Sequence, residues 1–197
     1  MFSSSSPSSS ADVGAVRVAS ADELRRHGSK VHAEVKGRYV SVFNLRGKFY
    51  CLDAVCYHAG GPLTVGDVED IGGKACVVCP WHNYCVTVET GEKLYQALVK
   101  TEDGKMVAGG WDSIGVRQRT HRAFEKEGSI YVQLDEEGKV ESDKYAKDPA
   151  CGKRLFQGHG RMRSKPNRAS PFNVGKGRGG TVVGADGRLP AFLRKKN

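Results

Sequence analysis

Two short segments carry the residues most able to do chemistry. The first reads Cys56-Tyr57-His58 and the second Cys79-Pro80-Trp81-His82, with twenty residues between His58 and Cys79. Each arm offers one thiolate and one imidazole, side chains suited to zinc and iron. A zinc finger usually takes both cysteines from one turn and both histidines from a helix, whereas each arm here mixes the two types. Mixed arms suit a two-iron centre in which two thiolates hold one iron and two imidazoles hold the other. If the arms face each other, Cys56 meets Cys79 on one iron and His58 meets His82 on the second. On spacing alone two other readings stay open: a zinc ion held by the same four side chains, or four ordinary core and surface residues.

The run Cys56-Tyr57-His58-Ala59-Gly60-Gly61-Pro62-Leu63, with Cys79-Pro80-Trp81-His82, resembles the paired loops C-x-H-x-G-x-x-L and C-P-x-H of the Rieske family. Thr90-Gly91-Glu92 resembles the turn that follows the second loop. The stretch from Gly115 to Arg119 extends the likeness to the soluble Rieske-type ferredoxins of eukaryotes, over roughly residues 15–145. That resemblance implies one [2Fe–2S] cluster per chain on Cys56, His58, Cys79 and His82. Gly60, Gly61, Pro62, Leu63, Pro80, Trp81 and Tyr84 would surround it. It implies a one-electron carrier rather than an enzyme, passing electrons from a reductase to an oxygenase or other acceptor.

Substitution of thiolate by neutral imidazole raises the reduction potential above that of an all-cysteine ferredoxin, and Rieske centres span about −150 to +300 mV. High-potential members carry a loop-to-loop disulfide at the positions held here by Gly61 and Trp81. They also place hydroxyl donors at the positions of Tyr84 and Val86. Their replacement implies a potential near the lower end, about −150 mV. Asn83 stands where the family commonly has glycine, and asparagine tolerates a positive φ. Trp81 is expected either to shield the cluster or to serve as an ordinary core tryptophan.

The elements that must position these arms read as strands. Residues 15–19, 31–35, 39–45 and 49–55 alternate apolar and polar side chains between glycine-containing turns, which predicts an antiparallel meander leading into the first arm. The stretches 65–68 and 75–78 predict short strands between the arms, and 85–88 leads away from the second. Ser20-Ala21-Asp22-Glu23 is a capping-box pattern that predicts one short helix ending at Gly28. Residues 92–111 read as a long surface loop, and 116–123 with 130–134 as a closing hairpin. The expectation is therefore an all-β fold of about ten short strands and one short helix, in the three sheets that the family implies.

Composition bounds the rest. The 197 residues have room for one ordinary domain with extensions, and no apolar run approaches the ~20 residues that cross a bilayer. The division expected is a Ser-rich disordered segment over 1–14, the cluster domain over 15–145, and a flexible Gly-rich tail over 146–197. Met1 to Ser10 lacks the apolar centre of a secretory signal and has no arginine, so the cytosol is expected, with a plastid or mitochondrial address left open. The net charge of +9 is uneven: residues 151–197 hold 12 Lys/Arg against Asp186 alone, while residues 1–150 are close to neutral. Such a tail would attract polyanions or acidic protein surfaces. Cys51, Cys76 and Cys85 lie in strand-like runs and read as small buried hydrophobes. No 2-His-1-carboxylate pattern follows Leu134, so catalysis by an oxygenase iron site would be expected from another chain. Two alternatives to the carrier remain: a separate subunit feeding electrons into a Rieske oxygenase, and a zinc-bearing module that binds polyanions through its tail.

Overall fold

A computed structural model describes residues 12–157, with the backbone alone for 154–157. Six strands form one antiparallel sheet: β1 (Val16–Ser20), β2 (Lys30–Val35), β3 (Arg38–Leu45), β4 (Lys48–Asp53), β10 (Thr120–Lys126) and β11 (Ser129–Gln133), in the order β1-β11-β10-β4-β3-β2. Five more, β5 (Asp67–Ile71), β6 (Lys74–Val78), β7 (Cys85–Thr87), β8 (Glu92–Lys100) and β9 (Met106–Val116), form a second antiparallel sheet in chain order. The all-β expectation holds, with two sheets where three were expected. The physical reason is β10, which pairs with β11 along Arg122–Lys126 and with β4 through Thr120 and His121, fusing two groups of strands into one sheet.

β3 is buried along almost its whole length, so it separates two cores. Val40 and Val42 face one core with Leu24, Val35, Cys51, Ile130 and Val132. Phe43 faces the other, with Leu52, Leu63, Val77, Val86 and the cysteines of both arms. The period-2 alternation of a strand produces this division, as the neighbouring pair Cys51 and Leu52 on β4 also shows. Cys51, Cys76 and Cys85 are buried and unbridged, as expected of small apolar side chains.

The local elements differ from expectation in three places. Ser20 and Glu23 make the reciprocal capping-box hydrogen bonds, at 2.7 Å and 3.3 Å, but residues 21–28 form turns and no helix. Helix nucleation fixes several residues for one hydrogen bond, and here the Gly28 N–H is already committed to the Asn44 carbonyl across the sheet at 2.7 Å. Residues 92–116 form the β8–β9 hairpin rather than a loop. Its side chains are mostly exposed, only Leu94 of β8 is buried, and the register shifts twice, so no alternation marks it in the sequence. Finally, the folded chain continues past the expected domain end at 145, through α1 (Asp143–Ala146) and α2 (Pro149–Gln157). The rest of the basic tail, 158–197, lies outside the described residues, as do residues 1–11.

Buried charges tie that extension down. Asp53 is fully buried and accepts from Arg38 at 2.6 Å and 2.7 Å, from the Ser142 hydroxyl, and from His121 Nε2 at 3.1 Å. Because His121 Nδ1 accepts from the Asp135 N–H, the ring carries its proton on Nε2. Burial pushes the Asp53 carboxyl up, but the hydrogen bonds from His121, Arg38 and Ser142 outweigh it and leave it below its ordinary value. Arg119 makes a two-pronged contact with Asp143 at 2.8 Å each, and Arg38 also reaches Asp143. Arg119 is the chief cause of a strongly depressed Asp143 carboxyl.

A carboxylate with a depressed folded-state pKa adds stability above its unfolded pKa and loses it as pH falls through the folded value. Stability should therefore decline on acidification below about pH 4. Asp143→Asn should destabilise by about 2–3 kcal/mol at pH 7 and show a shallower acid decline. Denaturant melts at pH 7 and pH 3 check both expectations; equal acid slopes for the two proteins would contradict the network's role.

Candidate metal centre

β4 and β6 deliver the two arms, and both arms close in the same way. In the first, the Cys56 N–H donates to the Gly61 carbonyl at 2.7 Å and the Gly60 N–H returns to the Cys56 carbonyl at 3.0 Å. In the second, the Cys79 N–H donates to Tyr84 and the Asn83 N–H returns to Cys79, both at 2.9 Å. The residue four after each cysteine has positive φ, 77° at Gly60 and 56° at Asn83. Asparagine thus does at Asn83 the work that glycine does at Gly60.

The two cysteines are almost wholly buried and in side-chain contact. A hydrogen bond from Cys56 draws the Cys79 thiol down to about 6, against the opposing effect of burial. The backbone N–H groups of Trp81 and His82 also point at the Cys79 sulfur and lower it further. Cys56 moves the other way, through the proton it shares with Cys79 and through burial, although the His58 N–H donates to its sulfur. The histidines form the second pair: the rings of His58 and His82 lie 4.8 Å apart, nearly perpendicular. His82 is exposed and His58 half-buried.

Among the described residues, no group of three or more His, Cys, Asp or Glu side chains is arranged to hold a single metal ion. The four donors are instead two pairs, thiols inside and imidazoles outside. A tetrahedral zinc site needs four ligands around one point, whereas a two-iron cluster needs two at each end. Backbone N–H groups directed at both sulfurs also fit thiolates that carry charge. The residues present fit a [2Fe–2S] group.

The surrounding residues fall into place unequally. A Cβ at Gly61 would lie 2.6 Å from the Cys79 sulfur and 3.3 Å from Trp81, so the loops touch where a high-potential member would be stapled. Pro62 bridges to Val55, and Leu63 is buried with its N–H on the Ala54 carbonyl at 2.9 Å. Pro80 is exposed. Trp81 is 50% exposed, so it is not a core tryptophan; its ring base packs on Gly61 at the loop surface. Tyr84 lays its ring 4.2 Å from that of His58, and Lys93 holds its ammonium 5.1 Å above the Tyr84 ring. Neither contact was legible in the sequence, because contacts between residues 26 and nine positions apart in irregular or short-strand segments leave no periodic trace.

The sequence model described as soluble Rieske-type ferredoxin matches residues 16–137. The chain belongs to that family. Its members normally carry a [2Fe–2S] cluster. A human Rieske domain-containing protein is 39% identical over 136 residues, 68% of this chain and 85% of the relative. Among solved structures, the ferredoxin of carbazole 1,9a-dioxygenase from Nocardioides aromaticivorans is similar at 21% identity and a TM-score of 0.46, covering 61% of this chain and 98% of that one. A ferredoxin of Sphingomonas yanoikuyae is similar at 18% identity and a TM-score of 0.44, with coverage of 61% and 98%. No helix among the described residues is long and apolar enough to cross a membrane.

The close approach at Gly61 makes a direct expectation. Gly61→Ala should weaken cluster retention about 10–100-fold, the range seen when residues around a metal ligand are changed. Gly110→Ala, where a Cβ meets nothing within 4 Å, should leave iron per chain unchanged. Iron and sulfide assays on the two purified variants check this, and equal iron content would contradict it.

Proposed function

We propose that this ferredoxin is a one-electron carrier whose cluster sits on Cys56 and Cys79 at one iron and His58 and His82 at the other. The observation that supports it most is the two-by-two arrangement of donors, buried thiols beside solvent-facing imidazoles. When bound, such a cluster supplies reversible one-electron redox chemistry at a potential set by ligand charge and by hydrogen bonds to sulfur. The chain's own residues do the rest. Cys56 and Cys79 are shielded from water by the core of Phe43, Leu52, Leu63, Val77 and Val86. His58 and His82 face outward, where a reductase or an oxygenase-type acceptor can approach.

Aliphatic Val86 is fully buried at one of the two positions where high-potential members place a hydroxyl, and at the other Tyr84 faces His58 with its ring. Both features favour a potential low in the Rieske range, about −150 mV. The basic charge of residues 158–197 gives the chain a means of attracting an acidic partner surface, a steering effect that salt should screen.

Electron paramagnetic resonance of the dithionite-reduced chain should show the signal of a mixed Cys/His [2Fe–2S] cluster. Cys79→Ser should abolish the visible absorption, and absorption unchanged by it would sink the assignment. Voltammetry should return a value near −150 mV, and one above about +100 mV would contradict the account of Tyr84 and Val86. Deleting residues 158–197 should leave spectrum and potential intact while slowing partner reduction at low salt only; an equal slowing at high salt would argue against steering.

A further inference from the structure

Gln118 is fully buried, and its side chain makes three hydrogen bonds, all to backbone. Oε1 accepts from the Tyr57 N–H at 3.0 Å, while Nε2 donates to the carbonyls of Asp53 and Val55, both at 2.9 Å. These groups belong to the stretch between the end of β4 and the first ligand arm, where the sheet ladder has stopped. β10 pairs with β4 only as far as Thr120 opposite Leu52, followed by an Asp53 N–H bond to the Arg119 carbonyl at 3.0 Å. The Gln118 carboxamide therefore takes the place of one more peptide unit and carries the ladder onward to the ligand loop.

Through its main chain the same residue reaches the turn that follows the second arm's strand. The Gln118 N–H donates to the Gly91 carbonyl at 3.0 Å, and a Cβ on Gly91 would lie 1.8 Å from the Gln118 carbonyl oxygen. Gly91 follows β7, the strand that leaves the second arm, and its φ of 72° suits glycine. Gln118 is thus anchored on the second arm's exit and holds the first arm by its side chain.

We infer that Gln118 is a positioning residue that sets the register of the first ligand arm against the second by fixing Tyr57, the residue between Cys56 and His58. The inference rests on the ligand assignment proposed above. With Tyr57 held, the next peptide keeps the His58 N–H on the Cys56 sulfur. Release of the arm loosens that bond, and fewer hydrogen bonds to sulfur stabilise the reduced state less, which lowers the potential.

Two variants test this in the full chain. Gln118→Leu removes all three hydrogen bonds at similar volume. Gln118→Glu is isosteric and keeps an acceptor for Tyr57, but turns an oxygen toward two carbonyls. Both should shift the potential to more negative values, broaden the resonance signal and speed cluster loss about 10-fold. Val132→Ala, a core truncation on β11, should lower Tm with potential and signal unchanged. If the Gln118 variants behave like Val132→Ala, the residue serves only folding and the inference fails. Should neither variant fold, hydrogen exchange of the wild-type chain decides: the Tyr57 amide should be protected like the strands of the core, and exchange at the rate of an exposed loop would overturn the inference. Failure of the ligand assignment is distinguishable, because the wild-type chain would then show no cluster signal at all.

Discussion

Four donors can meet in two pairs only if two loops, neither with a ladder of its own, hold their backbones still. Every N–H and carbonyl near the buried sulfurs must find a partner, because unpaired polar backbone away from water costs free energy on the scale of a lost hydrogen bond. The chain meets this demand by using one closure twice, with the cysteine N–H reaching forward five residues and the residue before that acceptor reaching back. The cost is a left-handed residue in each arm, met by glycine in one and asparagine in the other. The twenty residues between His58 and Cys79 then do for the pair what a short hairpin could not, running β5 and β6 antiparallel so that both arms emerge beside each other.

Behind the first arm the structure adds a buried charge network to its apolar packing. Asp53 ends β4 three residues before Cys56, and the guanidinium and hydroxyl groups that satisfy it come from β3 and from the chain after β11. Arg119 extends the network to Asp143 and to the carbonyls of Glu137 and Gly138. This brings the C-terminal segment against the ligand loop: a Cβ on Gly60 would meet the Cys151 sulfur at 3.3 Å and the Tyr145 ring at 4.0 Å. Replacing such a network by apolar side chains is often neutral or stabilising elsewhere. Its value here lies in direction, since fixed donor geometry orients a segment that has too little apolar surface to dock in a unique way.

That distinction explains what could be seen in the sequence. The pairing of the two arms, the strands of the six-stranded sheet and the left-handed tendency of Asn83 were legible, because each follows from a residue type or a period. The helices over 143–157 left no trace because hydrophobic periodicity stops near Glu141, while Asp143 and Ser142 hold the chain by polar contacts that no period reveals. The β8–β9 hairpin was missed for a related reason: an exposed two-stranded ribbon with Gly109 and Gly110 inside it has no apolar face to alternate. The capping box at Ser20 shows the opposite failure. Its hydrogen bonds form as the pattern predicts, but a local cap cannot extend a helix whose next turn is claimed by a sheet.

The unequal exposure of the donors also directs the proposed chemistry. Cys56 and Cys79 are sealed under the same core that closes the base of the loops, so electron exchange through them would have to cross packed side chains. His82 meets solvent, and His58 is half-covered by Tyr84. The ring contact restrains the His58 imidazole on one face, and the Lys93 ammonium lies over the rings of both Tyr84 and Tyr95. Were a cluster held here, reduction would add negative charge to it, and a cation near the imidazole end would stabilise that state by Coulomb attraction, moderated by solvent. Such a cation would oppose the low potential proposed above from aliphatic Val86 and from Tyr84, which meets His58 with its ring.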